Sequence, residues 1–220
     1  MTENQIGFSD IVNECVSLLR EHFGFVLLVT TVIAAGSIVL DLLNENVNIV
    51  VGGLIVGVFV QYLFTEKVLV DLVPEGLSEK RRKYGALFAA SILGTLGIVF
   101  GFVLLIVPGL ILMSGWSAAT PFIVVERKGG IEALKSSWRA TSPARVPLAL
   151  VFLVYCLAIA VLLGIFAFQV ETSGADGEDL MSIIMDNVFS SIMYVSNWLL
   201  GSAVYRLVAP RGNELANVFS

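Results

Sequence analysis

The chain has 220 residues, 57% hydrophobic and only 14% charged, with a formal net charge of −5 and a mean hydropathy of +0.89. A soluble globular domain carries about 25% charged residues, so the composition points away from an aqueous fold and towards lipid as the solvent. Cys15 and Cys156 are the only cysteines; one precedes the first apolar run and the other lies inside the fifth, at different expected depths, which argues against a disulfide framework.

Residues 1–22 are polar, with Glu3, Asp10, Glu14, Arg20 and Glu21. They lack the basic start, short apolar core and small-residue cleavage site of a secretory signal, so the first span is expected to remain as an uncleaved anchor. Phe8, Ile11, Val12, Cys15, Leu18 and Leu19 recur at three and four residues, the period of an amphipathic helix. Five runs free of Asp, Glu, Lys and Arg follow, at 23–40, 46–65, 84–125, 146–170 and 187–205. A hydrocarbon core of about 30 Å needs about 20 helical residues. The third run, with 42 residues, therefore reads as two spans, broken at Pro108-Gly109. The spacing predicts spans at 24–43, 47–64, 85–107, 110–125, 146–168 and 188–208. Their length, without strict alternation, excludes a transmembrane barrel.

Every basic residue falls on one side of this arrangement. Lys67, Lys80, Arg81, Arg82 and Lys83 join the second and third spans, and Arg127, Lys128, Lys135, Arg139 and Arg145 join the fourth and fifth. Arg20 precedes the first span, and Arg206 and Arg211 close the last. Asp41, Glu45, Glu171, Asp176, Glu178, Asp179 and Asp186 lie on the other side. The excess of basic residues on cytoplasmic loops predicts that both termini are cytoplasmic. Ile131, Leu134 and Trp138, with Lys135 and Arg139 between them, predict a second interfacial helix. Asp71 to Lys83, interrupted by Pro74 and Gly76, gives a weaker third. Ser142-Pro143 has the form of an N-cap followed by proline at the start of the fifth span. The expected fold is all-α: a polytopic membrane helical bundle of about six transmembrane helices plus two or three interfacial amphipathic helices. It forms a single integral membrane domain over 1–220, with a cytoplasmic amphipathic helix at 1–22, a six-span bundle at 23–208 and a cytoplasmic tail at 209–220.

Several groups invite a functional reading. Lys80, Arg81, Arg82 and Lys83 form a cluster able to attract anionic headgroups, each cation contributing about 1 kcal/mol; Lys135, Trp138 and Arg139 form a second. Ser114, Ser117 and Pro121 share a face of the short fourth span, near Thr120. Asn197 lies mid-way along the sixth span, where a polar group needs a partner. Ser114, Ser117, Thr120 and Asn197 are thus candidates for a polar bundle interior, although small hydroxylated residues equally serve helix packing. Pro121 is expected to free a backbone carbonyl. Gly53 and Gly57, and Gly97 and Gly101, give two GxxxG spacings that suit internal helix contacts. Asp41 and Asp186 form a candidate acidic pair, or else two solvated interface residues. Catalysis finds few materials. His22 is the single histidine, so paired-histidine metal sites are ruled out, and Gly115-Trp116-Ser117 has no histidine within a span to serve the serine. No metal, cofactor or nucleic-acid partner is expected.

Residues 101–141 carry a distinctive pattern: Gly101, an aliphatic run, Pro108-Gly109, more aliphatics, Ala119, Pro121, an aliphatic triplet and Glu126, then Gly129, Ile131-Glu132-Ala133-Leu134, Ser137-Trp138 and Thr141. This resembles the YciC-like family of bacterial inner-membrane proteins and the related membrane domain fused to some glycerophosphodiester phosphodiesterases. The resemblance implies a plasma-membrane bundle of about six helices with envelope or lipid roles, and no phosphodiesterase activity, whose catalytic domain has no counterpart here. It also leads one to expect a basic residue about six positions after the Pro-Gly pair, where this chain has Gly115. The resulting expectation is a non-enzymatic inner-membrane protein supporting lipid or envelope homeostasis by lipid binding or scaffolding. The alternatives are a small-molecule or lipid transporter with its path near Ser117, Thr120 and Asn197, and an accessory subunit of a membrane complex. Membrane lipids are the expected partners, together with a membrane protein or a second copy of the chain.

Overall fold

The computed structural model describes residues 6–43, 47–73, 82–173 and 180–209. These residues are helical throughout, with no strand among them. In chain order the helices are α1 (Phe8–Glu21), α2 (Phe23–Leu43), α3 (Val47–Val68), α4 (Tyr84–Leu104), α5 (Ile106–Trp116), α6 (Ala119–Val124), α7 (Gly130–Ala140), α8 (Arg145–Ser173) and α9 (Leu180–Val208). Among the described residues four stretches are long and apolar enough to cross a membrane: Phe23–Leu42, Tyr84–Leu104, Ile106–Val124 and Ser142–Ile165.

Their outward faces are aliphatic. Leu28 and Val32 on α2, Leu96 and Val103 on α4, and Val154 and Val161 on α8 are all more than half exposed. Only 11% of the apolar window in α2 and in α8 is buried, against 50% for Ile106–Val124. Such extended apolar surface calls for an apolar solvent, and the broken helix α5–α6 runs through the middle of the bundle.

The packed core sits towards one end. Tyr62, Phe64, Val68 and Leu69 meet Phe122 to Val125, Leu148, Phe152 and Leu199 to Tyr205, all buried. This is the end where α3, α6 and α9 finish and α2, α4, α7 and α8 begin, and it carries the described basic residues. α1 covers it by burying Ile11 and Leu18 against α8 and α9. Arg206 of α9 pairs with Glu14 (3.3 Å) and Glu21 (3.0 Å) of α1. At the opposite, acidic end Asn187 joins α9 to α2: it donates to Asp41 at 2.7 Å and to its own Ile183 carbonyl at 2.9 Å. Asp41 thus pairs with Asn187, while Asp186 faces outward.

Two expected boundaries shift. The reversal inside the long apolar run falls at Leu105, whose extended backbone (φ −168°, ψ 154°) separates α4 from α5. Pro108-Gly109 lies in the first turn of α5 instead, where a missing N–H is harmless because that donor has no helical partner anyway. Gly109 keeps a different role, because a Cβ there would sit 2.5 Å from the Phe102 ring, and one on Gly101 3.0 Å from Gly109 Cα. The Gly97–Gly101 pair therefore serves α4–α5 contact, with Gly97 against Trp116. Gly57 faces open space, and the surroundings of Gly53 lie outside the described residues. Ser142-Pro143 forms a short 3-10 turn, and α8 begins at Arg145. Of the weak third amphipathic segment, a 3-10 turn at Val70–Leu72 is described; residues 74–81 lie outside the described residues, as do residues 210–220 of the expected tail.

Candidate functional site

The break between α5 and α6 organises one side of the bundle. Pro121 has no N–H to give to the Ser117 carbonyl four residues earlier, so the ladder opens there. The α7 helix closes it from outside. Ser137 Oγ donates to the Gly115 carbonyl (2.8 Å) and accepts from the Ala118 N–H (3.2 Å), and Thr141 Oγ1 lies 3.3 Å from the same Gly115 carbonyl. Both hydroxyls are fully buried. The freed Ser117 carbonyl faces α9 at Gly201, where a Cβ would come within 2.6 Å of it. Gly115 is demanded by the same packing, because a Cβ there would meet Trp138 Cε3 at 2.3 Å. The position where the family resemblance suggests a basic side chain is thus filled by an indole.

With its buried face committed to the break, α7 turns a second face to a groove. Ile131, Leu134, Lys135, Trp138 and Arg139 recur at three and four residues, so they form one helical stripe. Facing them are Leu93 of α4 and Leu112 and Trp116 of α5. The groove measures about 460 Å³, within the range of small-molecule sites, about 300–1,000 Å³. Its walls are apolar apart from Lys135 and Arg139, which are exposed. Trp138 is held firmly: Arg145 Cζ stacks 4.0 Å from its ring centroid, Arg145 Nη2 donates to its carbonyl at 3.0 Å, and the Trp116 ring lies 6.5 Å away. Leu93 is nine residues from the start of α4, so the groove reaches about 14 Å along that helix.

A second constellation joins α3, α4 and the α6–α7 connection. Glu66 pairs with Arg82 at 2.8 Å and with Arg127 at 3.0 Å. Arg127 is buried, with 6% of its surface exposed, and its guanidinium lies 5.6 Å from the centre of the fully buried Tyr62 ring. Tyr84 packs on Tyr62 at 4.7 Å and its Oη accepts from Arg82 at 3.4 Å. Arg127 also holds a left-handed backbone (φ 54°), which costs a non-glycine residue about 1 kcal/mol. Burial pushes its pKa down from the ordinary arginine value. The hydrogen bond to Tyr84 raises that of Arg82, desolvation opposes the rise, and Glu66 adds to it. Both remain cationic at neutral pH. Alongside, Lys128 pairs with Glu126 at 2.8 Å, and Tyr205 Oη donates to Glu126 at 3.1 Å.

The expected site residues therefore separate. Lys135, Trp138 and Arg139 come together at the groove. Arg82 turns to Glu66, Lys83 is exposed at the start of α4, and Lys80 and Arg81 lie outside the described residues. Ser114 and Ser117 spend their hydroxyls on carbonyls of their own helix, Ile111 and Ser114, each at 2.9 Å. Thr120 Oγ1 accepts from Gln61 of α3 at 3.1 Å. Asn197 corrects the expectation of an interior polar residue: it is exposed on α9, whose inward face there is made by Val195, Leu199 and Leu200. A path past Ser117, Thr120 and Asn197 loses its geometry, because Gly201 closes the seam at Ser117. Sequence reasoning missed the roles of Ser137, Thr141, Glu66, Arg127 and Arg145; the hydroxyls at 137 and 141, four apart on one helix face, were the available signal. Among the described residues no group of three or more His, Cys, Asp or Glu side chains is placed to hold a metal. No family model matches the chain, and neither a curated protein nor a solved structure is similar to it.

Proposed function

We propose that this chain is a non-enzymatic, six-span protein of a bacterial inner membrane, with both termini cytoplasmic, that binds an anionic lipid beside α7. The observation that carries this reading is the groove: apolar walls from three helices, two cations and a fixed tryptophan at its rim. An amphiphile with a negative headgroup matches that order of surfaces. Its chain removes Leu93, Leu112 and Ile131 from competing contacts, and its headgroup meets Lys135 and Arg139. The bacterial setting and the envelope role rest on the resemblance of residues 101–141 to the YciC-like family. The reading of six spans adds α3 and α9 to the four described stretches that are long and apolar enough to cross, and the reading of the orientation is supported by the basic end.

The test is the lipid retained by detergent-purified protein. Each interfacial cation contributes about 1 kcal/mol towards an anionic surface, so Lys135→Ala with Arg139→Ala is expected to weaken retention of anionic species about 30-fold. Both side chains are exposed, so thermal stability should stay unchanged. An unaltered lipid profile in the double variant overturns the proposal.

A further inference from the structure

The Glu66 constellation holds more donors than acceptors. Among the described residues Arg82 and Arg127 share one carboxylate, Glu66, which leaves one unit of positive charge over in that set. Arg127 Nε and Nη1 and the Tyr62 hydroxyl are buried with no hydrogen-bond partner among the described residues. Arg127 is more than nine-tenths buried and Tyr62 completely so. Each buried donor left unsatisfied costs about 1–3 kcal/mol, and the left-handed backbone at Arg127 adds to that cost. A guanidinium held at this expense, at the end of the bundle where a headgroup layer would lie, calls for an acceptor.

We propose that Arg127 and Tyr62 form an oxyanion site that takes a phosphate group, from a lipid headgroup or from free phosphate. The open donors occupy two edges of a guanidinium and one phenol, so they need several acceptor oxygens in different directions. A tetrahedral phosphate supplies several oxygens to one such edge and to the phenol, and charge-assisted bonds to arginine are among the strongest available. Its negative charge also balances the surplus cation. Glu66 orients Arg127 through Nη2 and at the same time repels the incoming anion, so it sets the affinity as well as the geometry. The site shares no lining residue with the groove beside α7 and stands independently of the lipid reading given above.

The experiment uses the full chain in nonionic detergent and phosphate-free buffer, with the thermal midpoint and ligand affinity as readouts. One arm titrates inorganic phosphate; another titrates phosphatidylglycerol, with diacylglycerol as the control lacking the phosphate. Stabilisation by phosphate alone identifies a free anion, and stabilisation by phosphatidylglycerol but not diacylglycerol in the Lys135→Ala, Arg139→Ala chain, whose groove lacks its cations, identifies a headgroup; either supports the site. Tyr62→Phe removes one donor and is expected to weaken binding about fivefold without lowering the stability of the unliganded protein. Glu66→Gln is expected to lower unliganded stability yet tighten the anion about fivefold, an opposition that a merely structural ion pair does not produce. Lys135→Ala with Arg139→Ala should leave the phosphate response intact, which separates this site from the groove. If neither phosphate nor phosphatidylglycerol stabilises the wild-type chain, or if Tyr62→Phe responds as wild type does, the proposal is overturned and bound water satisfies these donors.

Discussion

The basic and acidic ends of the bundle are held by different means. At the basic end, buried hydroxyls close a broken helix, glycines admit an indole and a carbonyl, and acidic residues of α1 and α3 pair with arginines of α9 and of the α6–α7 connection. At the acidic end, the described helices stand with exposed aliphatic faces, α2 and α9 meet through Asp41 and Asn187, and α4 and α5 close on each other at Gly101 and Gly109. The contrast follows from the solvent. Lipid is as apolar as leucine, so burying aliphatic surface gives helices little reason to associate there. Close backbone approach and interhelical hydrogen bonds must supply specificity; glycine contacts serve both ends, while the hydrogen bonds that close the broken helix come from a docked amphipathic helix.

Substitutions that probe both ends test this contrast directly. The largest effect is expected at Gly201. A Cβ there meets the Ser117 carbonyl at 2.6 Å, and backbone cannot rotate away, so Gly201→Ala should destabilise the detergent-solubilised protein by about 3 kcal/mol. Gly164→Ala, in α8 with nothing within 4 Å, should change stability by less than about 0.5 kcal/mol. Equal losses at the two positions would break the comparison. Next comes Ser137→Ala, which leaves the Ala118 N–H and a Gly115 lone pair without their partner. About 2 kcal/mol is expected, against about 0.6 kcal/mol for Asn187→Ala, both read from denaturant unfolding. The smallest effect belongs to Arg206→Gln, whose two ion pairs with α1 are partly exposed. About 0.5 kcal/mol is expected, seen as faster amide exchange over Phe8–Glu21. High salt should reproduce it in the wild-type chain; salt-independent exchange would show that Ile11 and Leu18 alone hold α1.

The spans were legible because lipid leaves so coarse a mark: long uncharged runs, with cations between alternate pairs. The ends of α2, α3, α8 and α9 lie within a few residues of expectation at most of their boundaries. The α4–α5 reversal was misplaced because Pro108 suits the first turn of a helix as well as it suits a loop. Asn197 misled because a polar residue within a span was assumed to point inward; Asn187, ten positions earlier, makes the interhelical bond. The groove was half visible. Lys135, Trp138 and Arg139 share a period that marks a helix face, but nothing in the sequence announces that Leu93 and Leu112 stand opposite. Arg127 was hidden among residues that also signal topology, and a topological signal does not distinguish a buried arginine from a solvated one.

The α4–α5 reversal has a consequence for how the protein is made. From Val103 to Val107 the turn shows five consecutive aliphatic side chains, 58–77% exposed, and its backbone closes on itself through Leu105 N–H to Gly101 and Gly109 N–H to Leu105. No ionised or hydroxylated group has to be carried across the bilayer at this point. Insertion of this central pair therefore requires no hydrophilic loop to cross an apolar solvent, whichever way the pair faces.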